Sequence, residues 1–105
     1  VENVSNGRVE RSSFFANTTT NGAGVLNVQS AMTLENCVLA DNTAAGLGGG
    51  VFTASSGQTH LSFCTLTRNS AVKGAAFGMM HNPVTSTIAS SILFNDVADE
   101  LGVFE

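Results

Sequence analysis

The chain has 105 residues, 43% of them hydrophobic, which suits a single domain with enough apolar material for a core. Only 11% are charged, with four Lys and Arg against eight Asp and Glu, so a basic nucleic-acid-binding surface is excluded. No apolar run approaches the roughly 18 residues of a membrane span, and the low charge argues against disorder. Four of the eight acids (Asp96, Asp99, Glu100, Glu105) fall in the last ten residues, leaving the first 95 net neutral. Solubility therefore rests on Ser, Thr and Asn.

Read in chain order, the sequence repeats. Val1-Glu2-Asn3-Val4 returns as Val25-Leu26-Asn27-Val28. Small residues lead into the later anchors: Gly22-Ala23-Gly24 before Val25, Gly48-Gly49-Gly50 before Val51, Gly74-Ala75-Ala76 before Phe77, and Gly102 before Val103. The anchors Val1, Val25, Val51, Phe77 and Val103 are spaced 24, 26, 26 and 26. A second set runs in step: Val9, Leu34, Leu61 and Ile88, spaced 25, 27 and 27. Three residues after each comes a small one (Ser12, Cys37, Cys64, Ser91), and five after comes Phe14, Leu39, Leu66 or Leu93. Eight after comes Asn17, Asn42, Asn69 or Asp96.

This period does not suit helical repeats, because no window sustains apolar residues at i, i+3, i+4 and i+7. Each repeat instead holds short β-prone pieces, such as Met32–Leu34, Val38–Leu39 and Val51–Thr53, separated by Gly, Asn, Ser and Thr. Three strands and three bends make one coil of a parallel β-helix. The expected fold is thus all-β, a solenoid of about four coils of 24–27 residues, right-handed by the crossover rule. Coils stacked in register place like over like. Val9, Leu34, Leu61, Ile88, Phe14, Leu39, Leu66, Leu93, Cys37 and Cys64 are expected inside. Asn17, Asn42, Asn69 and Asp96 should form a ladder at a bend, with Asn also supplying the left-handed backbone there. The glycines suit a corner too tight for a Cβ. Residues 1–105 read as one β-helix segment, excerpted from a longer solenoid.

The columns resemble the right-handed β-helix repeats of the pectin-lyase-like superfamily. They are most similar to the Gly-Gly-Ala-Ile and Phe-x-x-Asn repeats of chlamydial polymorphic outer-membrane proteins. The first motif stands here as Gly48-Gly49-Gly50-Val51, Gly22-Ala23-Gly24-Val25 and Gly74-Ala75-Ala76-Phe77. The second is intact as Phe14-Phe15-Ala16-Asn17 and degenerate as Leu39-Ala40-Asp41-Asn42 and Leu66-Thr67-Arg68-Asn69, while Leu93-Phe94-Asn95-Asp96 has lost the Asn. The resemblance implies secretion or surface exposure and carries no catalytic residue across.

Candidate sites are few. Cys37 and Cys64 share a column, as two buried thiols or as a disulfide between adjacent coils. Glu10 and Glu35 share an outer column, as a solvated pair beside Arg8 and Arg11, as two ligands for Ca²⁺ or as a glycosidase pair of carboxylates. Asp41 and Arg68 are equivalent positions in neighbouring coils and predict an ion pair. His60 aligns with Arg8, Thr33 and Thr87 on an outer face, and His81 lies in a lengthened loop with Asn82 and Pro83. Asn3-Val4-Ser5 and Asn17-Thr18-Thr19 match the N-glycosylation acceptor pattern, with Asn17 expected to be shielded in the ladder. No cofactor, metal or catalytic set is assigned. The expected function is a structural or adhesive segment of an extracellular or cell-surface protein. Its partners would be a polysaccharide or host surface ligand and adjoining β-helix coils. The alternative is a fragment of a polysaccharide lyase or glycoside hydrolase.

Overall fold

The computed structural model describes residues 2–3, 6–54, 57–80, 86–94 and 101–104, the first and last of these stretches as backbone only. Among the described residues every regular element is a strand, and all paired strands are parallel. The first turn comprises β1 (Glu2–Asn3), β2 (Gly7–Glu10), β3 (Ser13–Phe15) and β4 (Thr18–Thr19). The second is β5 (Val25–Val28), β6 (Ala31–Glu35), β7 (Val38–Ala40) and β8 (Thr43–Ala44). The third is β9 (Val51–Ala54), β10 (Gln58–Ser62) and β11 (Thr65–Thr67), and the last strands are β12 (Phe77–Met80), β13 (Thr87–Ala89), β14 (Ile92–Phe94) and β15 (Leu101–Phe104).

These strands stack as a β-solenoid of about three turns. Sheet A runs β1-β5-β9-β12-β15, sheet B runs β2-β6-β10-β13, sheet C runs β3-β7-β11-β14, and β4 pairs with β8. Parallel strands need a crossover between them, and here the rest of the coil is that crossover. The registers are those of the sequence columns: Val9↔Leu34↔Leu61↔Ile88 in sheet B and Phe14↔Leu39↔Leu66↔Leu93 in sheet C. In sheet A, Val25 pairs with Val51 and Val51 with Phe77, while Glu2 pairs with Leu26.

One alignment is corrected. Phe77 pairs with Leu101, not with Val103, which lies beside Met79. The slip is two residues, one whole strand period. It also lets all four residues of β15 pair, with Gly102 beside Gly78.

The core follows the inner columns. Val25, Leu34, Leu39, Val51, Leu61, Leu66 and Phe77 are each at most 1% exposed. Each such side chain stabilises by roughly 1.5–3 kcal/mol before entropy is counted. The terminal turns are less covered. Val9, Phe14 and Leu93 are only partly buried, and Ile88, expected inside, is 38% exposed. Ile88 keeps its column, but β13 is the outermost strand of sheet B, so no further strand of that sheet covers it.

The bends use left-handed backbone. Gly22, Gly48 and Gly74 have φ of 65–68° at one corner. A Cβ on Gly48 would sit 2.5 Å from the Val51 carbonyl oxygen, so glycine is required there. At the Asn corner, Ala16, Asp41 and Arg68 carry the positive φ, 53–59°, and the ladder residue after each does not. This corrects the expectation that the asparagines themselves supply the left-handed backbone. The preceding residue makes the bend, which leaves each asparagine side chain for the ladder.

Candidate functional site

Among the described residues, the side-chain hydrogen bonds and ion pairs mostly join one coil to the next or close a bend. The Asn ladder is the most ordered. Asn42 is fully buried; its Oδ1 accepts from the Asn17 backbone N–H (3.1 Å) and from Asn17 Nδ2 (3.0 Å). Its Nδ2 donates to the Phe14 carbonyl (3.0 Å) and to Asn69 Oδ1 (2.9 Å). Asn69 Oδ1 also accepts from the Asn42 backbone N–H, and Asn69 Nδ2 donates to the Leu39 carbonyl. Asn42 and Asn69 therefore each bridge coils through both the amide oxygen and the amide nitrogen. Asn17 is exposed, contrary to expectation, because it heads the ladder in the first turn. Asp96 lies outside the described residues, as do His81, Asn82, Pro83, Asp99, Glu100 and Glu105, and the Asn3 side chain is not described.

The Ser/Cys column has its own rule. Ser12 Oγ, Cys37 Sγ, Cys64 Sγ and Ser91 Oγ each lie 2.8–3.4 Å from the carbonyl oxygen two residues earlier. The residue between, Arg11, Asn36, Phe63 or Ser90, has φ of 47–54°. A short side chain with one donor closes the same tight bend in every turn, so serine at the exposed ends and cysteine in the buried middle are interchangeable. Both cysteines are free thiols, 1% exposed. Cys64 Sγ also lies 3.3 Å from the Leu34 carbonyl. Burial pushes the Cys64 thiol above its ordinary value, so it stays protonated and unreactive at neutral pH.

On the outer face of sheet B, Glu10 and Glu35 do stand side by side. Arg8 bridges the two carboxylates: its Nε is 2.5 Å from Glu10 Oε1 and its Nη2 is 2.8 Å from Glu35 Oε2. Arg11 Nη1 approaches Glu10 Oε2 at 3.7 Å. Among the described residues no three His, Cys, Asp or Glu side chains gather as a metal cluster would require. His60 lies between Thr33 and Thr87 in the expected register, with Nδ1 2.7 Å from Thr87 Oγ1.

The expected pair of Asp41 and Arg68 is present and bidentate, Nε to Oδ1 at 2.8 Å and Nη2 to Oδ2 at 3.0 Å. The Arg68 hydrogen bonds hold the Asp41 carboxyl below its usual value and raise the guanidinium in turn. Both groups are exposed, so the contribution to stability is small.

One buried network escaped the sequence reading. Asn27, Thr53 and Thr59 are all fully buried. Asn27 Nδ2 lies 2.9 Å from Thr59 Oγ1 and from the Gln58 carbonyl, and 3.0 Å from the Ser30 carbonyl. Ser30 Oγ donates to Asn27 Oδ1, and the Thr53 and Thr59 hydroxyls are 2.7 Å apart. Strand parity carried the signal: if Val25 points inward, so does Asn27. Among the described residues no buried side-chain nitrogen or oxygen is left without a partner.

Comparison with known proteins returned no matching family model, no matching curated protein and no matching solved structure. No helix among the described residues is long and apolar enough to cross a membrane.

Proposed function

We propose that the chain is a non-catalytic structural or adhesive segment of a secreted or cell-surface protein. In this reading it is a right-handed β-helix of the pectin-lyase-like kind, with repeats akin to those of chlamydial polymorphic outer-membrane proteins. It works by stiffness and by a repeated contact face. One observation supports this most: among the described residues, charged, amide and imidazole side chains are engaged in holding turns together. Arg8 binds Glu35 across turns, Arg68 binds Asp41, Asn17 and Asn42 feed the ladder, and His60 meets Thr87. A catalytic site would instead need an acid, base or nucleophile aimed at a substrate.

The outer face of sheet B sets Thr33, His60 and Thr87 at the strand repeat of about 4.8 Å, a regular row of hydrogen-bonding groups suited to a glycan or a cell-surface ligand. Binding is tested with immobilised neutral glycans and polygalacturonate, with and without Ca²⁺, while chain cleavage is followed by released reducing ends. Retention without cleavage is the expected result. Cleavage of any of these polymers would overturn the reading in favour of a polysaccharide-active fragment.

A further inference from the structure

Phe63 is a large apolar side chain where neither solvent nor backbone favours one. It stands at the bend between β10 and β11 and is 61% exposed, although a turn lies on each side of it along the axis. Its counterparts in the other turns are Arg11, Asn36 and Ser90, all polar. All four have φ of 47–54°, a left-handed conformation that asparagine tolerates and that a bulky side chain rarely adopts. The backbone there is held from both sides. The Asn36 N–H donates to the Ser62 carbonyl (3.0 Å), and the Phe63 N–H donates to the Ala89 carbonyl (3.2 Å). The ring therefore projects from a fixed base. A residue kept against both burial and backbone preference points to a role outside the packing of the fold.

The polar groups beside the ring are uncommitted. Asn36 and Ser90 flank Phe63 at one strand spacing, about 4.8 Å, and Ser62 precedes it on the outer face of β10. Among the described residues no hydrogen bond engages the side chains of Asn36, Ser62 or Ser90. Asn42, Asn69, Ser12 and Ser91, by contrast, all bond within the protein. Charge nearby is balanced, with Arg8 and Arg11 set against Glu10 and Glu35.

We infer that Phe63 is a stacking platform for a pyranose ring of a neutral glycan. The Asn36 amide and the Ser62 and Ser90 hydroxyls are the hydrogen-bonding groups for the sugar hydroxyls. A pyranose has an apolar C–H face rimmed by hydroxyls, which matches one aromatic ring set among amide and hydroxyl groups. A protein partner would call for a cluster of apolar residues at the centre of the contact. The residues next to Phe63 along the axis are polar, and its chain neighbours are Ser62 and the buried Cys64. The local charge balance favours a neutral glycan over an acidic one. This inference rests on the proposed contact face of sheet B and deepens it: Thr33, His60 and Thr87 line that face, and Phe63 stands at its border.

The test is calorimetric titration of the chain with neutral β-linked hexasaccharides of glucose, mannose and galactose, and with polygalacturonate. Binding of at least one neutral oligosaccharide, tighter than that of polygalacturonate, is expected. Phe63→Ala should weaken it at least about tenfold, as loss of a central aromatic contact does. Phe63→Tyr should retain it, and Phe15→Ala, which removes another exposed phenylalanine, should leave it unchanged. Phe63→Asn introduces the residue of the preceding turn. It should lose binding yet unfold at a urea concentration no lower than wild type, because asparagine suits the left-handed backbone. A lower midpoint for Phe63→Asn would mark a packing role and overturn the inference. Equal binding by wild type and Phe63→Ala would overturn it while leaving the contact face of sheet B in place. A wild-type chain that binds none of the neutral oligosaccharides would overturn both. Release of reducing ends, with binding still dependent on Phe63, would uphold the platform and overturn only the non-catalytic reading.

Discussion

Alanine at position 42 removes the centre of the Asn ladder. The Asn42 side chain takes part in four hydrogen bonds, two accepted from Asn17 and two donated, to Phe14 and Asn69. At about 1 kcal/mol net for each, with Asn69 Oδ1 losing a side-chain donor in the interior, Asn42→Ala is expected to cost about 3–5 kcal/mol. Domains of this kind hold about 5–15 kcal/mol in all, so the loss is a large part of the total. With a urea slope of about 1.5–2 kcal/mol per molar, the unfolding midpoint falls by about 2 M. Asn17→Ala is the control. It removes one donated side-chain bond at an exposed end, and should cost no more than about 1 kcal/mol.

Asn42→Asp sharpens the test. A carboxylate keeps the acceptor role but sets a buried charge against two acceptors, the Phe14 carbonyl and Asn69 Oδ1. The folded state then favours the protonated acid, so its pKa is raised above the unfolded value. The variant is most stable below about pH 4 and loses stability as pH rises from there. Equal midpoints for Asn42→Ala and Asn17→Ala, or an Asn42→Asp profile that rises with pH, would refute the account of the ladder.

Cys64 should resist alkylation in the native state at pH 8 and react only in denaturant, as mass spectrometry of iodoacetamide-treated protein would reveal. Because its folded pKa is raised, the unfolded chain ionises first, and stability should decline as pH climbs past the ordinary thiol range. Asp41 runs the other way: its lowered pKa gives a small increment present above about pH 4 and lost on acidification, read as a low-lying carboxyl titration by NMR that moves up in Arg68→Ala. Leu66→Ala, in the buried middle of its column, should cost about 2–5 kcal/mol in urea unfolding, and Ile88→Ala, in the exposed last strand, distinctly less. Gly50→Ala would drive a Cβ to 2.6 Å from the Ala76 carbonyl oxygen and 2.9 Å from Leu66 Cδ2, an overpacking cost of about 1–3 kcal/mol, whereas Gly57→Ala, whose nearest contact is 3.1 Å, should be tolerated better.

The columns determined the fold from the sequence alone. In a solenoid stacked in register, separation along the chain translates directly into position along the axis. Val9, Leu34, Leu61 and Ile88 therefore fall in one column, and Asp41 opposite Arg68, on spacing alone. Only the tertiary structure decided what depends on direction and cover. The identity of Asn42 does not say that its neighbour Asp41 makes the bend, nor does the pair Glu10 and Glu35 say that Arg8 lies between them. Ile88 matches Leu61 as a letter, yet one is exposed and the other buried. Burial is set by the strand stacked above, and a repeat pattern does not record which of its copies lies at the end.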